Sequence, residues 1–105
     1  SLGDTAAVPF LSRVVGEAGD EEVQVAAIGA LGRLRSGEAL PALLSVVNRR
    51  SGLFGAKKLS RPKAAAIAAI ARIPTTAARE VIESLAGGKD PEVAAEAQRV
   101  LGTLD

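Results

Sequence analysis

The nine residues AAIGALGRL at positions 26–34 decide the fold, because they return almost unchanged 39 residues later as AAIAAIARI at positions 65–73. A weaker third copy, VLGTL, occupies positions 100–104. A second motif, AVPFL at positions 7–11, returns 32 residues later as ALPAL at positions 39–43. Self-similarity at a period of about 20 to 50 residues is the signature of repeat architectures. The sequence therefore predicts one domain built from three similar units.

Apolar residues in these motifs are spaced as on one face of an α-helix, and no stretch alternates as a strand would. The stripe around the first motif contains Val23, Ala27, Ala30, Leu31 and Leu34. Residues 40–47, 78–85 and 93–104 carry similar stripes. The fold class is therefore predicted to be all-α. We expect helices at about 5–16, 21–35, 38–49, 62–73, 75–86 and 91–104.

Helix starts are marked by Asp20 and Asp90, whose carboxylates can accept backbone N–H groups at the first turn. Pro91 and Pro62 suit first-turn positions, because proline has no N–H to leave unpaired there. A single hairpin of this size cannot bury its apolar face, whereas stacked hairpins can. The frequent Ala and Gly residues would let neighbouring helices approach closely. The helix at 62–73 is apolar on a second side as well, at Ala64, Ile67, Ala68 and Ala71. We therefore expect it to be buried on two sides.

These motifs, from Asp-x-x-Val through AAIxALGxL to ALPALL, resemble the short HEAT-like repeat first associated with phycobilisome (PBS) lyase subunits. The resemblance covers about residues 4–104. It implies a right-handed α-α superhelix (solenoid) of three HEAT-like helical hairpins, at about 4–35, 36–73 and 74–105. It also implies a non-catalytic scaffold that holds a protein partner along a concave ridge of second helices. Some relatives bind nucleic acid, and rare ones, the HEAT-like alkylpurine DNA glycosylases, are enzymes.

The chain departs from the family pattern where an Arg commonly forms a ladder with Asp residues of neighbouring units. Gln24, Lys63 and Ala94 occupy those positions. The polar ladder is therefore expected to be incomplete, so that stacking depends more on apolar contacts.

Whole classes of chemistry are excluded by composition, because the chain has no His and no Cys. Imidazole bases, thiolate nucleophiles and the usual zinc ligands are absent. The paired carboxylates Glu80/Glu83 and Glu92/Glu96 are expected on solvated helix surfaces, with Arg99 within ion-pair reach of Glu96. We therefore predict no catalytic residues, no metal site and no cofactor. An accessory role in an enzyme would need catalytic groups from elsewhere in a longer protein.

An insertion and a basic segment set the second unit apart. Equivalent alanines of its two helices, Ala39 and Ala66, are 27 residues apart, against 20 for Ala7 and Ala27, which places about seven extra residues in a loop at about 50–60. Residues 39–79 contain eight basic and no acidic residues, whereas the remaining positions contain five basic and twelve acidic ones. Such a patch accelerates association with an anionic partner in a salt-dependent way.

Seven residues in and beside this loop are the candidate partner-binding residues: Arg49, Arg50, Phe54, Lys57, Lys58, Arg61 and Lys63. The simpler alternative is a solvated surface, or a counter-charge to nearby glutamates. Nucleic acid or another polyanion is the second candidate ligand, although the chain has no Tyr or Trp for base stacking. Phe54 either inserts into a partner or folds back over the hairpin core.

The two ends of the array differ in polarity. Glu96, Gln98, Arg99 and Thr103 replace Ala26, Ile28, Gly29 and Arg33 of the first unit, which predicts a polar C-terminal cap. Val8 and Phe10 are expected beside the apolar stripe of an uncapped first helix. We therefore expect a C-terminal fragment of a longer protein that is a monomer or a weak dimer. No apolar stretch approaches the roughly 18 to 20 residues of a membrane span, so a cytoplasmic location is expected.

Overall fold

The computed structural model describes residues 2–48 and 60–104. In these ranges it contains six α-helices, one short 3-10 helix and no strand, so the all-α prediction is confirmed. The helices are α1 (Leu2–Glu17), α2 (Glu21–Leu34), α3 (Leu40–Val47), α4 (Arg61–Arg72), α5 (Thr76–Ala86) and α6 (Pro91–Leu104). The 3-10 helix, Gly37–Ala39, leads directly into α3.

The predicted caps form. One carboxylate oxygen of Asp20 accepts the N–H groups of Glu22 at 2.8 Å and Val23 at 3.2 Å. Asp90 makes the same pair of hydrogen bonds at the start of α6, with Pro91 as the first helical residue. α4 begins one residue before Pro62, because the Ser60 hydroxyl caps it by accepting the N–H of Lys63 at 3.3 Å. Short polar side chains therefore cap the N-termini of these helices.

The helices form two layers. α2, α4 and α6 lie side by side, with α4 in contact with both of the others. Each of these helices also packs against the helix that precedes it in the chain, which is α1, α3 or α5. α4 is therefore the central helix of the described part, as its apolar sequence predicts.

One continuous apolar core joins the layers. Its largest fully buried side chains are Val15, Ile28, Leu31, Leu43, Val46, Ile67, Ile70 and Ile82. Because they come from α1 to α5, no hairpin has a core of its own. Burying each such side chain contributes roughly 1.5–3 kcal/mol, so neighbouring hairpins stabilise one another.

α2 and α4 approach most closely at Gly32. A Cβ atom added there would lie 3.0 Å from the Cβ of Ala69 and 3.1 Å from its Cα. Contacts this short require Gly on one helix and Ala on the other. The expectation that small residues allow close approach is confirmed at this contact.

Three expectations about burial are wrong. Val23, predicted in the buried stripe of α2, is 49% exposed, and the buried face begins instead at Gln24. Ala68, predicted on a second buried side of α4, is exposed, whereas Ile67 is buried. Val8 is buried in the core, and only Phe10 of that pair is exposed, at 66%. In each case the helical pattern was recognised, but the side covered by neighbours was misjudged.

Candidate functional site

Most of the predicted partner-binding residues cannot be placed in the fold. Arg49, Arg50, Phe54, Lys57 and Lys58 lie outside the described residues. Their role, the position of the loop and the two alternatives for Phe54 therefore stay predictions.

Arg61 and Lys63 are described, and both lie in the first turn of α4. Arg61 is exposed and Lys63 is half-buried, and no acidic residue shares this turn with them. The N-terminal end of a helix carries a partial positive charge, so two cations there are unfavourably placed unless an anion is near. The first turn of α4 is therefore a place where an anionic group would be stabilised.

A second exposed region is formed by residues of α2, α4 and α6. We call it the outer strip and define it by the exposed residues Arg33, Ala68, Arg72 and Arg99. Arg33 and Arg72 are equivalent residues of the repeated motif, and Ala68 lies one turn before Arg72. Ala68 is the only one of these four residues with a small, uncharged side chain.

One arginine of the outer strip is already paired. Arg99 donates from Nε to a carboxylate oxygen of Glu96 at 3.0 Å, and its terminal nitrogen donates to the other oxygen. These hydrogen bonds lower the pKa of the Glu96 carboxyl below its usual value, with a smaller opposing effect from partial burial. The expected ion pair between these residues is confirmed.

The positions of the missing Arg ladder show what replaces it. Gln24 is buried, and its side-chain amide donates to the backbone oxygen of Val15 in α1 at 2.9 Å. Ala94 is buried as a small apolar residue, and Lys63 lies half-buried at the start of α4. Gln24 therefore forms a hydrogen bond between α2 and α1 within one hairpin. In the family pattern, an Arg at this position would instead link neighbouring units.

Residues 23–49 match the family model described as the PBS lyase HEAT-like repeat. The chain contains a HEAT-like repeat. The match covers α3, the short 3-10 helix and all but the first two residues of α2, and it confirms the predicted resemblance over residues 23–49. No curated protein and no solved structure matches the chain. The HEAT-like repeat family suggests a repeat or scaffold module.

Sequence reasoning missed two residues near these sites. Gln24 was noted as a departure from the pattern, but its burial was not predicted. Its hydrogen-bond partner belongs to another helix, so periodicity gave no signal. Arg35 was not singled out either, although it is the only described residue other than Gly with a positive φ, 55°. Within the described ranges, no helix has the length and hydropathy needed to span a membrane.

Proposed function

We propose that this chain is a non-catalytic protein–protein interaction module, in which HEAT-like hairpins stack as a right-handed solenoid. The partner lies along the outer strip of α2, α4 and α6. The basic segment around residues 49–63 accelerates the encounter through its charge.

The single observation that carries the proposal is the row formed by α2, α4 and α6. α4 contacts both neighbours, so equivalent positions of successive helices are brought side by side. The core contains buried residues of these three helices, and the outer strip consists of residues that they expose. A rigid row that repeats the same exposed position offers a continuous surface for an extended partner.

Site-specific crosslinking tests the proposal, and the absence of Cys makes a single labelled position straightforward. Ala68→Cys places a photo-crosslinker on the outer strip, and Ser45→Cys places it on an exposed position of α3 in the other layer. In extract of the source cells, we expect a discrete crosslinked protein with the label at residue 68 and none with the label at residue 45. Equal crosslinking at both positions, or none at either, contradicts the proposed surface.

Nucleic-acid or other polyanion binding is the second candidate, favoured by the first turn of α4, which carries Arg61 and Lys63 and no acidic residue. Binding of DNA or RNA that strengthens steeply as salt is lowered, and is lost in the double variant Lys57→Glu/Lys58→Glu, would support it. The matched control is the double variant Arg13→Glu/Arg33→Glu, which changes the same net charge on α1 and α2. An equal loss in both variants indicates general electrostatic attraction and contradicts a site at the loop.

A further inference from the structure

A cavity of about 420 Å³ opens where α2 and α4 end and α5 begins. Arg35, Arg72 and Arg79 line it together with Thr76, and the exposed residues Pro74 and Leu104 contribute an apolar wall. Cavities of roughly 300–1,000 Å³ hold small ligands or a few side chains of a partner. Nothing in the proposed function uses this cavity, although Arg72 also belongs to the outer strip.

Two of the arginines are held in place by the backbone. Arg35 ends α2 in the left-handed conformation, with φ 55°, and its N–H donates to the oxygen of Gly32 at 3.2 Å. This turn directs its side chain to α4, where Nε donates to the backbone oxygen of Arg72 at 3.3 Å. The side chain of Arg72 passes close to Gly32, with its Cδ 3.5 Å from where a Cβ would stand. The two guanidinium groups are therefore brought to one rim.

Two of the three arginines have no carboxylate partner in the described part of the chain. Among residues 2–48 and 60–104, no acidic residue contributes to the cavity wall, and neither Arg35 nor Arg72 is paired with a carboxylate. Arg79 is paired, because its Nε donates to Glu83 at 3.5 Å. Like charges gathered at one rim repel one another, so an anion bound between Arg35 and Arg72 would be strongly favoured.

The start of α5 adds to this preference. The Thr75 hydroxyl accepts the N–H of Ala78 at 3.1 Å, while the N–H groups of Thr76 and Ala77 have no acceptor within the helix. Thr75 and Thr76 both line the cavity. An anion held by the arginines would therefore also lie at the positive end of a helix dipole.

We infer that this cavity binds the carboxylates of an acidic segment of a protein partner, with an aliphatic side chain of that segment against Pro74 and Leu104. Guanidinium groups match carboxylates in a two-bond geometry, and the apolar wall favours a peptide over a free ion. No aromatic residue lines the described wall, so it offers no platform for nucleobases. The inference rests on the proposed protein-binding function and assigns it a specific contact.

A fluorescent octapeptide of alternating Glu and Leu is the probe, and the same peptide with Gln in place of Glu is its control. We expect the Glu peptide to bind in a salt-dependent way and to shift the backbone amide NMR signals of Thr76 and Ala77. The variant Arg35→Gln/Arg72→Gln should weaken binding by at least about tenfold, because charge-assisted hydrogen bonds are lost. Arg13→Gln, which removes a charge from α1 outside both the cavity and the outer strip, should change binding less than about twofold.

Thr76→Glu keeps the test decisive if the arginine variant does not fold. A carboxylate in the first turn of α5 favours the helix but repels an acidic ligand at the cavity, so we expect a folded protein with binding weakened at least about tenfold. Binding that is unchanged in Thr76→Glu, equal for the Gln peptide, or replaced by binding of inorganic phosphate alone would overturn the inference. A partner crosslinked at residue 68 together with no peptide binding would overturn the cavity inference alone. Absence of both would overturn the proposed function as well.

Discussion

α2 and α6 begin with the same capping residue, but they differ in which of their residues are buried. Asp20 and Asp90 cap them in the same way, and a valine follows three residues later in each. Yet Val23 is 49% exposed, whereas Val93 is only 6% exposed. Val93 therefore belongs to the common core, whereas the described helices leave about half of Val23 uncovered.

On the opposite sides of the two helices the difference in burial is reversed, because α2 is buried there and α6 is exposed. Ile28 and Gly32 of α2 are buried, and Gly32 lies against Ala69 of α4. The equivalent residues of α6, Gln98 and Gly102, are exposed, and nothing lies within 4 Å of a Cβ added at Gly102. Equivalent positions of a repeat therefore contribute differently to the free energy of unfolding, depending on which helix packs beside them.

This comparison also refines the predicted polar cap. Of the four positions that are polar in α6, those of Ala26 and Arg33 are already exposed in α2. Only the change from Ile28 to Gln98 replaces a fully buried side chain with an exposed one. Gln98 also donates to the backbone oxygen of Ala86 at 3.0 Å, at the end of α5. The polar end of α6 thus depends mainly on one residue.

The largest expected effect separates Ile28 from Gln98. Ile28→Ala should lower the free energy of unfolding by about 2–5 kcal/mol, because it leaves a cavity in the core. Gln98→Ala should change it by less than about 1 kcal/mol, since one exposed hydrogen bond is lost. Urea unfolding followed by circular dichroism measures both, as the chain has no Trp or Tyr for fluorescence. Similar losses in both variants would mean that α6 is covered by a further helix.

The two glycines give the next largest difference, and their effects should have opposite signs. Gly32→Ala should destabilise the protein by about 1–3 kcal/mol, because the new methyl group meets Ala69. Gly102→Ala should stabilise it by up to about 1 kcal/mol, because Ala is the better helix former and has open space there. The same unfolding curves provide the measurement. A neutral or stabilising Gly32→Ala variant would disprove the close approach of α2 and α4.

The two valines test the start of each helix. Val93→Ala should cost about 1.5–2.5 kcal/mol, since it removes a buried side chain from the α4–α6 contact. Val23→Ala should cost less than about 1 kcal/mol, because half of its surface is exposed already. Hydrogen exchange of the α2 and α6 amides would show whether each loss is local. An equal cost at both positions implies that Val23 is covered in solution, for example by another copy of the chain.

The smallest effect concerns an ion pair that α6 has and α2 lacks, since Ala26 and Gly29 stand where α6 has Glu96 and Arg99. The hydrogen bond from Arg99 lowers the pKa of Glu96 in the folded protein. The resulting stabilisation is present above the pKa of Glu96 in the unfolded chain and is lost as the pH falls through its folded value. Arg99→Gln should therefore raise the pKa of Glu96 and reduce the loss of stability in acid. NMR titration of the carboxyl signal checks this, with Arg33→Gln, which should leave that pKa unchanged, as the control.

How much of the molecule was predictable follows from individual residues. The Asp20 and Asp90 caps form as predicted, because a cap depends only on residues two or three positions away. Val23 was assigned to the wrong face and the burial of Gln24 was not predicted, because burial depends on neighbouring helices, as the hydrogen bond from Gln24 to Val15 of α1 shows. Arg61 and Lys63 were identified as candidate binding residues because the basic segment is visible in the sequence itself. The cavity beside Arg35 and Arg72 joins residues 37 positions apart, so no local pattern could indicate it.

By itself, the sequence determined the all-α class, the helix starts and the HEAT-like repeat, since these follow from periodicity and from short-range hydrogen bonding. Only the tertiary structure decided which side of each helix is buried, where Gly32 is required, and how Arg35 and Arg72 come to share one rim. The physical reason is that a repeated motif fixes the angular position of each residue around its own helix. Burial and charge at that position are set by the neighbouring helices.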